Sequence, residues 1–386
     1  MKDICIDTAW DYAKRLLHGK TNLIYDHLLN DSDFPTAEEI KKSYPNPCGY
    51  GTDMDDSMIN AGTMLDACLL RYEIKKDHET KEFAHRLIDG MIRCAKSAYT
   101  EGFLPRSVTP QDGKSHYINS SIDQYTLFIF GAHRYINSPL CTNEEKKHLK
   151  DILEGFAKRA EKNMTKENNF DMLRDDGGKS HVTTFWGDCL GNHEYLRLPM
   201  LYLAAWEAGG NEHYLELYRK IRSIAYEKSL PMSSYWHLYA LLQMQVSVRL
   251  CYDADPDCIW REKYFYLLNK VSDYVLGMVL EISKKLSAKD DANSDAVCFR
   301  NRKMTENPHL KNLGFFYLSP VHEDSDTFFL MQDAANIAAV TGLCPNKKLS
   351  RKAAKLFESA FSMIDFDKHK RALPVHFLQG YYRAFA

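Results

Sequence analysis

Acidic residues gather where apolar, helix-like segments begin. The stretch NPCGYGTDMDDSMINAGTML carries Asp53, Asp55 and Asp56 within four positions. One aspartate at a helix start is ordinary capping and stabilises the first turn. Three exceed what one cap needs. Their mutual repulsion raises at least one pKa, and a carboxyl group that keeps its proton near neutral pH can act as a general acid. Asp123 opens a second such stretch, YINSSIDQYTLFIFGAHRY, in which Ser120 or Ser121 is available as the cap. The candidate catalytic set is therefore Asp123 with Asp55 or Asp56. The alternative for each is a capping or dipole role alone.

Other candidates surround these acids in the sequence. Trp186, Asp188, His193 and Glu194 crowd a third helix start and are expected in a pocket wall. A first-turn charge for Glu194 and an interior role for His193 are the alternatives. Glu323, Asp324 and Asp326 precede a further helix, with His322 free to face a pocket. The stretch SSYWHLY sets Trp236 and His237 near the same rim. Tyr50, Tyr117, Trp186 and Trp236 offer flat faces for a sugar ring, with core packing as the alternative. Arg106, His116, His181 and Arg300 lie in long connecting segments and are candidate carboxylate binders. No P-loop, strand-following GxGxxG, GxSxG elbow or HExxH is present. The run of aspartates passes directly into a helix, unlike an EF-hand loop. No metal or cofactor is expected.

These residues must be held by elements, and apolar residues recur at helical spacing almost throughout. Segments near 4–18, 80–98, 144–162, 212–228, 260–286 and 348–363 carry many charges on one side, as in LKDILEGFAKRAEK. Such helices have one wet face. Between them, segments near 56–72, 120–136, 192–208, 233–251, 326–341 and 373–385 carry little charge. Helices apolar around most of their circumference are buried on most sides. Six wet and six dry helices in strict alternation predict one all-α domain over 1–386, an (α/α)6 toroid with the dry helices inside. The links before dry helices are long, about 19–55, 99–119, 163–191 and 287–325, whereas those after them are short. Long loops tend to be functional, so the site and its cavity are expected where they meet the N-termini of the inner helices. Those N-termini favour anionic groups, and hence a carboxylated sugar.

Composition narrows the classes further. The chain has 386 residues, 45% hydrophobic and 26% charged, with a formal net charge of −2, which argues for a packed globular protein. Acidic and basic residues are interspersed, so no basic stripe for nucleic acid is predicted. No apolar run approaches the roughly 20 residues of a membrane span. Ten cysteines are scattered without a CxxC pair and are expected to be reduced, with Cys251–Cys258 the one disulfide weighed. The start MKDICIDTAWDYAKR lacks an apolar signal core. A cytoplasmic location is expected, or a periplasmic one if a signal has been removed.

With these helix starts in view, the chain resembles the six-hairpin glycosidase group, and more narrowly the unsaturated glucuronyl and rhamnogalacturonyl hydrolases. Asp123 in IDQYTLFIFGAHRY resembles the Asp opening an inner helix there, although Gln124 follows it where that family has Thr. Asp55 or Asp56 in MDDSMINAGTML resembles the partner Asp on the preceding inner helix. The resemblance implies a metal-free hydrolase of uronate-containing oligosaccharides. In that family one acid protonates the C4=C5 bond of a terminal unsaturated uronate and activates water. A paired-carboxylate hydrolase of saturated glucuronides is a variant of this expectation. A sugar epimerase using His193, His237 and His376, and a non-catalytic carbohydrate-binding protein on the same toroid, are the alternatives.

Overall fold

The computed structural model describes residues 2–232, 237–286, 299–301, 304–306, 316–318, 326–353 and 372–385. Within them the chain is almost entirely helical. The helices are α1 (Lys2–Leu16), α2 (Ala37–Lys41), α3 (Ser57–Lys75), α4 (His78–Lys96), α5 (Ile122–Ile136), α6 (Asn143–Asn163), α7 (Arg197–Gly209), α8 (Glu212–Ser229), α9 (Leu238–Ala254), α10 (Cys258–Leu276), α11 (Val279–Leu286), α12 (Asp326–Leu343) and α13 (Leu373–Phe385). One short antiparallel pair, Met304–Glu306 with Phe316–Leu318, accompanies them. No described helix is long and apolar enough to cross a membrane.

The wet and dry segments fold as their patterns dictate. In α3 every residue from Ser57 to Arg71 is buried, and in α7 every residue from Arg197 to Ala205. In α4 the buried residues Thr80, Phe83, Ala84, Leu87, Ile88 and Met91 recur every three or four positions, which leaves one face to solvent. The dry helices pack in succession: α3 on α5, α5 on α7, α7 on α9, α9 on α12 and α12 on α13. Helix α13 also packs on α3. The wet helices α4, α8 and α10 lie against α3, α7 and α9, and α6 lies against both α5 and α7.

Boundaries depart from the pattern in three places. The third dry helix begins at Arg197 because residues 192–196 form turns. The wet segment 260–286 divides at Gly277 and Met278 into α10 and α11, where a glycine weakens the helix. Of the last wet segment, 347–353 is helical and the remainder lies outside the described residues.

Two features fix α3 against its neighbours. Gly62 and Gly131 meet where α3 crosses α5. A Cβ on Gly131 would sit 2.9 Å from the Gly62 Cα, and one on Gly62 would collide with the Leu127 carbonyl. Without side chains there, the two backbones touch. Lower down, buried Asp66 on α3 accepts from Arg383 Nε at 2.9 Å and Gln379 Nε2 at 3.1 Å on α13, and from Arg134 Nε at 3.2 Å on α5. Burial alone would raise the Asp66 pKa, but Arg383 and Arg134 outweigh it and hold the carboxyl below its usual range. This ion cluster ties three dry helices in parallel, with their N-terminal ends together.

Candidate functional site

The N-terminal ends of α3, α5, α7 and α9 differ from those of the wet helices α4, α6, α8 and α10. Helices α4, α6, α8 and α10 are each capped by a side chain: Asp77, Thr142, Asn211 and Asp257. None of α3, α5, α7 and α9 has a side-chain cap bond. Backbone carbonyls take part of that role: the Ile122 N–H of α5 donates to the Val182 carbonyl at 2.9 Å and the Arg197 N–H of α7 to that of Glu194 at 3.1 Å.

The three aspartates before α3 do three different things. Asp53, buried in a left-handed conformation (φ 66°), pairs with buried His27 at 2.5 Å and locks the loop. Asp55 turns inward. Its N–H donates to Asp26 Oδ2 at 2.9 Å, and its own Oδ2 accepts from the Gly51 N–H at 2.7 Å. Among the described residues its buried Oδ1 has no hydrogen-bond partner. Burial, then the charges of Asp26 and Asp56, push the Asp55 pKa well above its ordinary value. Asp56 is the N-cap residue of α3 by position, yet its carboxylate makes no cap bond. It accepts instead from Gln124 Nε2 at 3.0 Å. The site thus uses this carboxylate for something other than capping.

The Asp56 side chain is 48% exposed, and Arg106 Nη1 lies 3.8 Å from its Oδ1. Burial pushes its pKa up to about 7, helped by the charges of Asp26 and Asp123 and opposed by Arg106 and the Gln124 bond. Asp123, in the first turn of α5, accepts from Arg197 Nη1 at 2.5 Å; its side chain is 34% exposed and that of Arg197 only 2%. Neighbouring Gln124 reaches across to both the Asp55 carbonyl and the Asp56 carboxylate. The first turn of α5 therefore holds one acid and positions the other.

The expected pocket residues fall into two groups. His193 and Glu194 come to the rim beside Asp123 and Arg197. Burial lowers the His193 pKa, with Arg197 acting in the same direction and Glu194 and Asp123 against it. Glu194 accepts from the Gly191 N–H at 2.8 Å and so also closes its own loop. His237 is exposed at the N-cap of α9. Its charge acts on Asp333 of α12, whose pKa burial pushes up to about 6. Trp186 is half-buried with its ring edge-on to Tyr195 at 5.8 Å.

The second group makes its contacts within the protein. Arg106 is buried, and its guanidinium donates to the Asp55 carbonyl at 3.1 Å, the Tyr50 hydroxyl at 2.9 Å and the Ser120 carbonyl at 3.4 Å. It clamps two loops beneath the acids. The Tyr50 ring carries that guanidinium at 4.7 Å on one face. His116 is fully enclosed and bonded to Asp175 at 2.8 Å, out of reach of a ligand. Tyr117 is buried, with its hydroxyl on the Tyr44 carbonyl and its ring against Gly49. Arg300 pairs with Glu39 at 2.6 Å. Trp236 and His322 lie outside the described residues.

No protein-family model matches this chain, and no curated protein matches it.

Asp26, Gln124, Arg197 and Tyr239 were not singled out by sequence. Arg197 had a signal. A cation at a helix N-terminus opposes the dipole, so a buried one there needs a carboxylate partner. Asp26 and Tyr239 had none, since only folding brings them to the acids.

Among the described residues, a half-open cleft of about 340 Å³ is lined by Tyr72, Glu73, His133, Arg134, Glu207 and Asp253, where α3, α5, α7 and α9 finish. This cleft and the acid cluster lie at opposite ends of the dry helices.

Proposed function

We propose that the chain is a glycoside hydrolase acting on uronate-containing oligosaccharides, with Asp56 and Asp123 as its acid–base pair on an (α/α)6 toroid. The order of helix packing supports the toroid, because α13 meets both α12 and the first dry helix α3. The observation that carries the activity is the pairing of two unlike carboxyl groups. Asp56 holds its proton to about pH 7, while Asp123 is ion-paired with Arg197. A group poised near the working pH suits general acid–base catalysis. The acids open adjacent helices and are joined through Gln124. The four uncapped inner N-termini favour an anionic sugar at the same place.

A second variant of the substrate, a saturated glucuronide cleaved by a paired-carboxylate mechanism, would use the same two acids. One assay separates the two. Purified protein is incubated with unsaturated and saturated uronate oligosaccharides, following new reducing ends and the ultraviolet absorbance of the C4=C5 bond. New ends with loss of absorbance support the double-bond route. New ends from saturated substrates alone support the second. Epimerised sugar without new ends, or binding without turnover, overturns hydrolysis.

A further inference from the structure

Helix α9 brings a different kind of group to the two acids. Tyr239 is its second residue, and α9 packs on both α5 and α7, whose first turns carry Asp123 and Arg197. The Tyr239 hydroxyl oxygen accepts a 2.6 Å hydrogen bond from Gln243 Nε2, one turn further along, and Gln243 is fully buried. That bond occupies a lone pair on the phenol oxygen and leaves the phenolic hydrogen to be donated. Among the described residues no acceptor takes it. Tyr239 as a residue is half-buried. Burial, then the charges of Asp123 and Asp56, push its pKa well above the ordinary tyrosine value.

We propose that Tyr239 is a further catalytic residue, donating its hydroxyl hydrogen bond to the saccharide oxygen on which Asp56 and Asp123 act. This rests on the hydrolase proposal above. The phenol keeps its proton throughout, so it stabilises developing charge without entering the proton balance. A fixed donor in an enclosed site contributes more than the same donor in water, because it needs no reorganisation as charge appears. Gln243 is the positioning residue: its amide fixes the phenol oxygen from below.

The test compares wild type, Tyr239→Phe and Gln243→Leu on a substrate the wild type cleaves. Each variant is measured for kcat, KM, pH profile and melting temperature. Tyr239→Phe is expected to lower kcat about 100-fold, with KM within about threefold and the alkaline limb unmoved at about pH 7, where Asp56 titrates. Gln243→Leu is expected to lower kcat in the same direction by a smaller factor, since the phenol remains but is no longer fixed. A merely structural tyrosine predicts lost stability with kcat kept. Tyr239→Phe within threefold of wild type in kcat overturns this proposal and leaves the hydrolase proposal standing. A wild type that neither cleaves nor binds any of the glycosides, measured by calorimetry, removes both.

Discussion

At the scale of residues, neighbouring aspartates of one run differ because each meets a different local field. Asp53 pairs with His27, Asp55 faces Asp26, and Asp56 faces Gln124 and Asp123. Asp56→Asn and Asp123→Asn are each expected to lower kcat by about 10²–10⁴ with the fold retained, the usual contribution of a general acid–base group. A variant within threefold of wild type on a cleaved substrate removes that residue from the pair. The pH dependence has a definite sign. Asp56 must be protonated to act as an acid, so the rate falls as pH rises through about 7. Stability follows the same proton. A carboxyl whose folded pKa lies above its unfolded value binds its proton more tightly in the folded state. The protein therefore loses stability as pH rises from about 4 towards about 7. Solvent reaches Asp56, which limits the effect to the order of 1 kcal/mol. Asp56→Asn should flatten that slope in denaturant titrations at pH 5 and pH 8. An unchanged slope shows that Asp56 titrates normally.

At the scale of elements, the site depends on how closely α3 and α5 approach. Asp56 and Gln124 share a hydrogen bond because Gly62 and Gly131 let the two backbones touch two turns below. Gly62→Ala puts a methyl group against the Leu127 carbonyl, which neither helix can avoid without moving. The expected cost is about 1–3 kcal/mol of stability, read as a lower denaturation midpoint. Activity is expected to fall beyond what partial unfolding explains, because separating the helices stretches the Gln124–Asp56 bond. Stability equal to wild type would mean that the helices part freely, and that the glycine contact does not set the register of the acids. The caps tell the same story along each helix. The wet helices α4, α6, α8 and α10 spend an Asp, Asn or Thr on their own N–H groups, whereas α3 and α5 carry Asp56 and Asp123 at their starts without a side-chain cap bond.

At the scale of the whole molecule, the two ends of the dry helices carry different equipment. The N-terminal end gathers Asp56, Asp123, Arg197 and Tyr239, and the C-terminal end holds the cleft beside the His133–Glu207 pair at 2.5 Å. The fold achieves this with apolar burial and ion clusters and without a disulfide among the described cysteines. All eight of these are free, Cys251 buried and Cys258 exposed among them. A melting curve is expected to be the same with and without a thiol reductant. A drop of several degrees in reductant would reveal a bond that this structure does not contain.

The wet–dry alternation was readable because helix period and burial are local properties of the chain. It set the positions of α3 through α9 and of α12 and α13 to within a few residues. The acids at Asp56 and Asp123 were readable for the same reason, since excess charge at a helix start is visible in a line of residues. Other features depended on contacts between distant segments. Arg106 and His116 look like ligand-binding groups in sequence, and only packing shows that one is spent on carbonyl groups and the other on Asp175. Asp26 reaches Asp55 from 29 positions away, and Arg197 reaches Asp123 from 74. Such pairings follow from helix register and crossing distance. A pKa near 7 at Asp56 is likewise a property of the enclosure and the neighbouring charges that those crossings create.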